Sequence, residues 1–181
     1  MRIIGGSHRG RKIKSLQGKD TRPTLDFVRE ALFNIIGPDI DGSCFIDVYA
    51  GTGAVGIEAL SRGAKNVTLV DSSPKACRLI KENLERLDLL KKAIIVSCDA
   101  LKAFKKMDEM GLSFDFVFMD PPYDSEEIEQ SLKFLLGSNL LKPGAVVIAQ
   151  YSFGEVIDFS GYTLIKPKKY GKTVLSFLVK E

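Results

Sequence analysis

The feature that most constrains the fold is the texture of the apolar runs. Val67-Thr68-Leu69-Val70, Ala93-Ile94-Ile95-Val96, Phe116-Val117-Phe118-Met119 and the stretch 145–149 are nearly continuous in apolar character, and segments with helical spacing separate them. A strand that faces water on one side alternates apolar and polar residues, whereas a strand covered on both faces does not alternate. Continuous strands alternating with helices build a parallel sheet with helices on both sides. The spacing predicts strands over 44–49, 66–71, 93–98, 114–120 and 145–151, the last entered through a Lys142-Pro143-Gly144 turn. Helices are predicted over 55–62, 74–87, 102–110 and 126–136, with an earlier one carried by Leu25, Val28, Leu32, Ile35 and Ile36 and stopped by Gly37-Pro38. Two tail segments, 162–166 and 174–179, read as a hairpin around a basic loop that ends in Tyr170-Gly171. The expected fold is α/β: a doubly wound, mostly parallel, seven-stranded sheet with a terminal antiparallel hairpin and a short N-terminal basic extension. The expected division is 1–40 for the extension and its helix and 41–181 for the sheet domain.

At 181 residues the chain is one domain, or one domain with an extension. A chain of this length buries about 70% of its extended surface and needs no staple. The longest purely apolar run is five residues, 145–149, too short to cross a bilayer. The basic N-terminus is followed by no apolar core of a secretory signal, so a cytoplasmic location is expected. Three cysteines, Cys44, Cys77 and Cys98, are widely spaced and odd in number, which argues against a disulfide framework or a CxxC zinc site. Cys44 and Cys98, set in apolar runs, read as reduced core residues. His8 is the single histidine. No metal site is expected, and neither is a serine or cysteine hydrolase, because no GxSxG surrounds any serine. His8 reads as a neutral stacking or hydrogen-bonding residue.

Charge is unevenly placed. Residues 1–22 hold seven Lys/Arg and one acid, a net +6, so with a total of +3 the remainder carries −3. A basic arm on a mildly acidic body suits a polyanion met at one end, and equally suits a solvated tail.

Parallel α/β sheets bind ligands at the carboxyl ends of their strands, beside the switch point in strand order. The first strand runs into Asp47-Val48-Tyr49-Ala50-Gly51-Thr52-Gly53-Ala54-Val55-Gly56, and residues 51–56 fit GxGxxG between a strand and a helix. A dinucleotide or S-adenosylmethionine fits such a loop. Asp47 favours the latter, since a carboxylate repels a pyrophosphate but pairs with a cationic amino group. Asp71, which with Ser72 ends the second strand, suits the hydroxyls of a ribose in either ligand. Asp99, followed by Ala100, ends the third strand and suits an adenine amino group, or a helix N-cap, or both. The fourth strand ends in Asp120-Pro121-Pro122-Tyr123. Two prolines make a turn, but a turn alone does not call for an acid before them and an aromatic after them. Asp120 and the Pro121 carbonyl can accept the two hydrogens of an exocyclic amine, and Tyr123 offers a stacking face. Gly171-Lys172-Thr173 ends like a P-loop but lacks its upstream glycine, since position 166 is Lys.

The Gly loop with Asp47 and the Asp120-Pro121-Pro122-Tyr123 string resemble the amino-methyltransferases of the Rossmann-like class. Met1-Arg2-Ile3-Ile4-Gly5-Gly6, Arg9-Gly10-Arg11-Lys12, Arg22-Pro23-Thr24 and Val28-Arg29-Glu30-Ala31-Leu32-Phe33-Asn34 are similar to the bacterial small-subunit (16S) ribosomal RNA guanine-N2 methyltransferases of the RsmD type. The resemblance covers essentially the whole chain. It implies S-adenosyl-L-methionine as donor and guanine N2 in ribosomal RNA, free or in a small subunit, as acceptor. The catalytic residues implied are Asp120, Pro121, Pro122 and Tyr123. The donor site implied is Asp47, Tyr49, Ala50, Gly51, Thr52, Gly53, Gly56, Asp71, Ser72, Asp99 and Ala100. RNA contacts are expected at Arg9, Arg11, Lys12, Arg22 and Arg29, and a monomer is expected. Phe27 departs from the pattern, standing where a basic residue belongs. A DNA adenine or protein amide methyltransferase, an NAD-dependent oxidoreductase and a non-catalytic RNA-binding module are the alternatives; the oxidoreductase leaves residues 120–123 unused.

Overall fold

The structure is a computed structural model and describes residues 1–15, 23–121 and 125–181. The strand β1 (Cys44–Val48) lies between β2 (Asn66–Val70) and β4 (Phe114–Met119), parallel to both. Beyond β2 lies β3 (Ala93–Val96), and beyond β4 lies β5 (Leu141–Ser152), again parallel. The strand β7 (Thr173–Lys180) inserts antiparallel between β5 and β6 (Tyr162–Tyr170), giving the order β3-β2-β1-β4-β5-β7-β6. The chain therefore builds outward from β1 in one direction and returns to build from β4 in the other. The switch point falls between β1 and β4, where their carboxyl ends diverge.

The helices divide between the two faces. On one face α1 (Pro23–Ile36), α2 (Ala54–Ser61) and α3 (Pro74–Arg86) bury Leu32, Phe33, Ile57, Ile80 and Leu84 against Phe45, Leu69 and Phe116. On the other, α4 (Ala100–Glu109) and α5 (Ser125–Leu136) bury Phe104, Met107, Ile128 and Leu132 against Ile46, Val117 and Met119. This double cover is why the central strands are apolar throughout.

The N-terminal segment is a small hairpin. Arg2 and Lys12 pair antiparallel, Ile3 N–H donates to Arg11 O at 3.0 Å and Gly10 N–H to Ile3 O at 2.8 Å. Ile3 and Ile13 are buried with the α1–α3 helices, so this segment shares the core of the sheet. The buried Glu58 of α2 holds it, accepting Ile4 N–H at 2.8 Å and Gly5 N–H at 2.7 Å. Ser61 donates to Gly5 O, and Asn83 of α3 exchanges hydrogen bonds with the Lys14 backbone. His8 bonds Ser7 Oγ through Nδ1 and Leu87 O through Nε2.

Three expectations change. The Lys142-Pro143-Gly144 turn lies inside β5, where the pairing with β4 slips between Phe114 and Phe116 and absorbs the turn as a bulge. The basic loop before Gly171 is strand: Lys168 pairs with Leu175 and Tyr170 with Thr173. Its lysines hide the pattern, because β6 is an edge whose side chains are mostly exposed. Cys44 and Cys98 are half-buried, and Cys77, on the inner side of α3, is the buried thiol; all three are free. Among the described residues no helix is long and apolar enough to cross a membrane, and no cluster has the makings of a metal site.

Candidate active site

The loop after β1 is shaped by backbone conformation. Tyr49 has φ 71°, a left-handed value that costs a bulky residue energy and marks strained functional turns. Gly51 and Gly53 follow at 57° and 76°. Gly53 N–H closes the turn on Ala50 O at 2.7 Å, and α2 starts without a side-chain cap. Gly56 serves packing: a Cβ there would stand 2.8 Å from Leu69 Cδ2 and 2.9 Å from Val67 Cγ1. Without one, α2 lies directly against β2.

Four aspartates stand at the carboxyl ends of four adjacent strands. In sheet order β4-β1-β2-β3 they are Asp120, Asp47, Asp71 and Asp99. Asp47 is buried, and its Oδ2 accepts the Gly56 N–H at 2.9 Å. Loss of hydration pushes its pKa up to about 7; the Gly56 bond opposes this, and Asp120 and Asp71 add to it. Asp120 is pushed up to about 6 by poor hydration, against the pull of the Gln150 side chain. Asp71 braces two turns, accepting Gly51 N–H on Oδ2 and Ser73 N–H on Oδ1, both at 2.8 Å. Asp99 caps α4 through Lys102 N–H, and the Lys102 ammonium at 2.8 Å holds its carboxyl below the usual range.

These residues border two adjoining cavities. The larger, about 610 Å³, is lined by Asp47, Ala50, Gly51, Thr52, Asp120 and Pro121. The smaller, about 250 Å³, is lined by Asp99 and Ala100 with Cys98, Glu127 and Gln130. Tyr49, Asp71 and Ser72 line both, so the two form one groove along the strand ends. The Tyr49 hydroxyl, poorly hydrated and beside Glu127, has its pKa raised to about 12.

The family model described as "Conserved hypothetical protein 95" matches residues 1–179. The chain belongs to that family. It is 37% identical over 172 residues to the Haemophilus influenzae protein named ribosomal RNA small subunit methyltransferase D, covering 94% of this chain and 89% of that one. Among solved structures, yhhF of Escherichia coli superposes with a TM-score of 0.87 at 29% identity, over 100% of this chain and 98% of that one. SMU.776, solved in complex with SAH, shares the fold at 18% identity and a TM-score of 0.71, over 86% of this chain and 49% of that one.

In this member of the Conserved hypothetical protein 95 family the expected donor residues gather at one groove. Gly53 and Gly56 stand behind it and set its shape. Pro122, Tyr123 and Arg22 lie outside the described residues. Arg29 corrects an expectation. It is 4% exposed and lines the larger cavity instead of standing on the outer surface. Its Nη2 donates to Arg2 O at 2.7 Å and Asp26 at 3.2 Å, Nη1 reaches Met1 Sδ at 3.1 Å, and Nε, 3.7 Å from Glu58, has no hydrogen-bond acceptor among the described residues. Burial pushes its pKa down, against Glu58 and Asp26. Arg9 and Lys12 are exposed on the hairpin, and the equally exposed Arg11 donates to Arg86 O at 2.8 Å. Sequence reasoning missed Gln150 and Asn83. Gln150 is the polar residue that ends the apolar run 145–149, a signal open to reading once β5 is placed beside Asp120. Asn83 sits on the apolar side of an amphipathic helix and joins Lys14 O to Thr52 O with one amide, each at 3.1 Å.

Proposed function

We propose that this protein transfers a methyl group from S-adenosylmethionine to the exocyclic N2 of a guanine in small-subunit ribosomal RNA, acting as a cytoplasmic monomer. The observation that carries the reading is the row of four carboxylates on adjacent strand ends. Neighbouring strands lie about 4.8 Å apart, so the row spans about 14 Å, which suits an extended ligand made of a nucleoside and an amino acid. Among the described residues lining the larger cavity, Arg29 is the cationic side chain. A row of acids with one buried guanidinium fits a donor that carries two positive groups and one carboxylate.

S-adenosylmethionine, when bound, supplies an electrophilic sulfonium methyl. In this reading Asp99 and Ala100 receive the adenine, Asp71 and Ser72 the ribose hydroxyls, Asp47 the amino group and Arg29 the carboxylate. Tyr49, Ala50, Gly51 and Thr52 form the wall beside them. Asp120 and the Pro121 carbonyl accept both hydrogens of the guanine amine, which frees its lone pair for in-line attack, and Tyr123 stacks on the base. The new N–C bond forms as the S–C bond breaks, and the methylated amine then releases a proton. Positioning and electrostatics supply the rate. Residues 1–40 serve as the RNA-binding extension, with Arg9, Arg11, Lys12 and Arg22 toward phosphates, and 41–181 as the methyltransferase part.

The relatives' names support ribosomal RNA as acceptor, and the Asp120-Pro121-Pro122-Tyr123 string supports a planar amine. Tritium transfer from labelled S-adenosylmethionine to small-subunit particles, DNA and protein tests the acceptor. Nucleoside mass spectrometry of ribosomal RNA from a strain lacking the protein should show lost N2-methylguanosine. An unchanged nucleoside profile, with label passing to DNA or protein, overturns the assignment.

A further inference from the structure

The β6–β7 hairpin places four lysines, Lys166, Lys168, Lys169 and Lys172, within seven residues. Its tip, where Tyr170 pairs with Thr173, lies beside Ser152 at the end of β5. Because β5 runs parallel to β4, the tip stands at the same sheet edge as Asp120. One cross-strand row makes the relation concrete: Gln150 pairs with Leu175, and Leu175 with Lys168. Residues opposite one another in a sheet share a face, so Lys168 lies on the Gln150 side, two strands and about 10 Å away. Gln150 itself lines the cavity.

Aromatic residues flank these lysines. Phe27 of α1, 57% exposed, meets Tyr170 edge-to-face at 5.6 Å. Phe153, 62% exposed, holds the Lys169 ammonium 3.1 Å from its ring centroid on the opposite side of the tip. The acid closest in sequence to Phe153, Glu155, accepts the Ser152 N–H at 3.3 Å. Lysines on an edge strand protect it from pairing with other chains. That role does not account for two open phenylalanine rings among them. Positive charge interleaved with exposed aromatic faces is the composition that binds unpaired nucleotides, by backbone attraction and base stacking together.

We infer that this rim is a second RNA contact, distinct from the N-terminal hairpin: unpaired nucleotides flanking the target guanine stack on Phe27 and Phe153 while Lys168, Lys169 and Lys172 meet their phosphates. The inference rests on the proposed RNA substrate and adds how the strand next to the target base is held. An enzyme that draws a guanine out of its stack must also keep hold of the neighbours left behind.

The test uses the full chain, small-subunit RNA and S-adenosylhomocysteine. A Lys168→Ala/Lys169→Ala/Lys172→Ala variant is compared with Lys65→Ala/Lys91→Ala/Lys92→Ala, an equal charge change among exposed lysines at the opposite sheet edge. The rim variant should flatten the slope of log affinity against log salt by about 0.7 per lost contact. Phe27→Ala and Phe153→Ala should each weaken RNA binding about tenfold. All should bind S-adenosylhomocysteine like the parent, which reports an intact fold. Rim variants matching the opposite-edge variant in affinity and slope overturn the inference. So does weakened binding to ribosomal particles with naked RNA unaffected, which would assign the rim to a protein. Methyl transfer by the parent is scored separately. A parent that binds RNA through the rim yet methylates none keeps the rim and removes the proposed reaction; a parent that methylates RNA with a rim-insensitive affinity does the reverse.

Discussion

The Asp47 carboxylate and the Gly56 N–H, 2.9 Å apart, tie the end of β1 to the first turn of α2. The bond gives a buried acid one donor and no cation, which leaves the group poised to titrate near neutrality. With a folded pKa of about 7 against the usual 3.8, the native state holds this proton more tightly than the unfolded chain does. Stability of the ligand-free protein therefore falls as pH rises through that window.

A cationic amino group beside Asp47 reverses the balance. Affinity for S-adenosylhomocysteine should rise between about pH 5 and about pH 8, with proton uptake by the free site competing at the lower end. Asp47→Asn should flatten that profile and weaken binding. It should also stabilise the ligand-free protein at alkaline pH by about 1 kcal/mol or more, the value of one pKa unit. Calorimetry across pH and thermal melts at alkaline pH check both. A variant that binds like the parent at every pH rejects the role.

Asp120 is predicted to act on the acceptor. Asp120→Ala should abolish methyl transfer in a single-turnover assay while S-adenosylhomocysteine affinity stays within a few-fold. In the parent, transfer at saturating donor should decline as pH falls through about 6, because protonation makes Asp120 a weaker acceptor for the amine hydrogen it takes beside the Pro121 carbonyl. Full activity in the variant removes Asp120 from the chemistry.

Asp71 holds the Gly51 and Ser73 N–H groups at once. Asp71→Ala should weaken S-adenosylmethionine and S-adenosylhomocysteine alike, by about 1.5–3 kcal/mol for the lost charge-assisted bonds. Tight NAD binding by the parent, with no S-adenosylhomocysteine binding, would replace the assignment with an oxidoreductase.

The Gly56 position should tolerate no side chain. Gly56→Ala sets a methyl 2.8 Å from Leu69 Cδ2 and should cost about 1–3 kcal/mol of stability through overpacking. Denaturant titration measures it, and an unchanged midpoint shows that α2 can retreat from β2.

On the N-terminal hairpin, Arg9→Ala/Arg11→Ala/Lys12→Ala should weaken RNA binding and spare the donor. Each lost phosphate contact lowers the salt slope by about 0.7–0.9. RNA affinity and slope equal to the parent would make these three a solvated surface.

The layered sheet was legible because strands covered on both faces carry continuous apolar runs, as Phe116-Val117-Phe118-Met119 does. The four aspartates were legible because each ends such a run. Charge at an edge misled the reading of β6, where Lys168 and Lys169 are strand residues, the first half-buried and the second exposed. Arg29 was misplaced for a related reason. A basic residue two positions from the exposed Phe27 reads as surface, and its burial depends on Glu58, 29 residues further on, which no local pattern announces. Met1 and Gln150 reach the groove through tertiary contacts alone, and Asn83 braces its Thr52 wall in the same way.

The grip of Glu58 and Asn83 on residues 1–15 has a consequence for the chain as it is made. The carboxylate that accepts Ile4 N–H lies 54 residues downstream of it, and Asn83 lies 69 residues beyond Lys14. At synthesis rates of about 5–20 residues per second, the basic hairpin waits about 3–14 seconds for Asn83. Until α3 is complete, Ile3 and Ile13 lack part of the core that buries them. The basic hairpin is thus made before the α2 and α3 residues that hold it, and is among the later segments to settle.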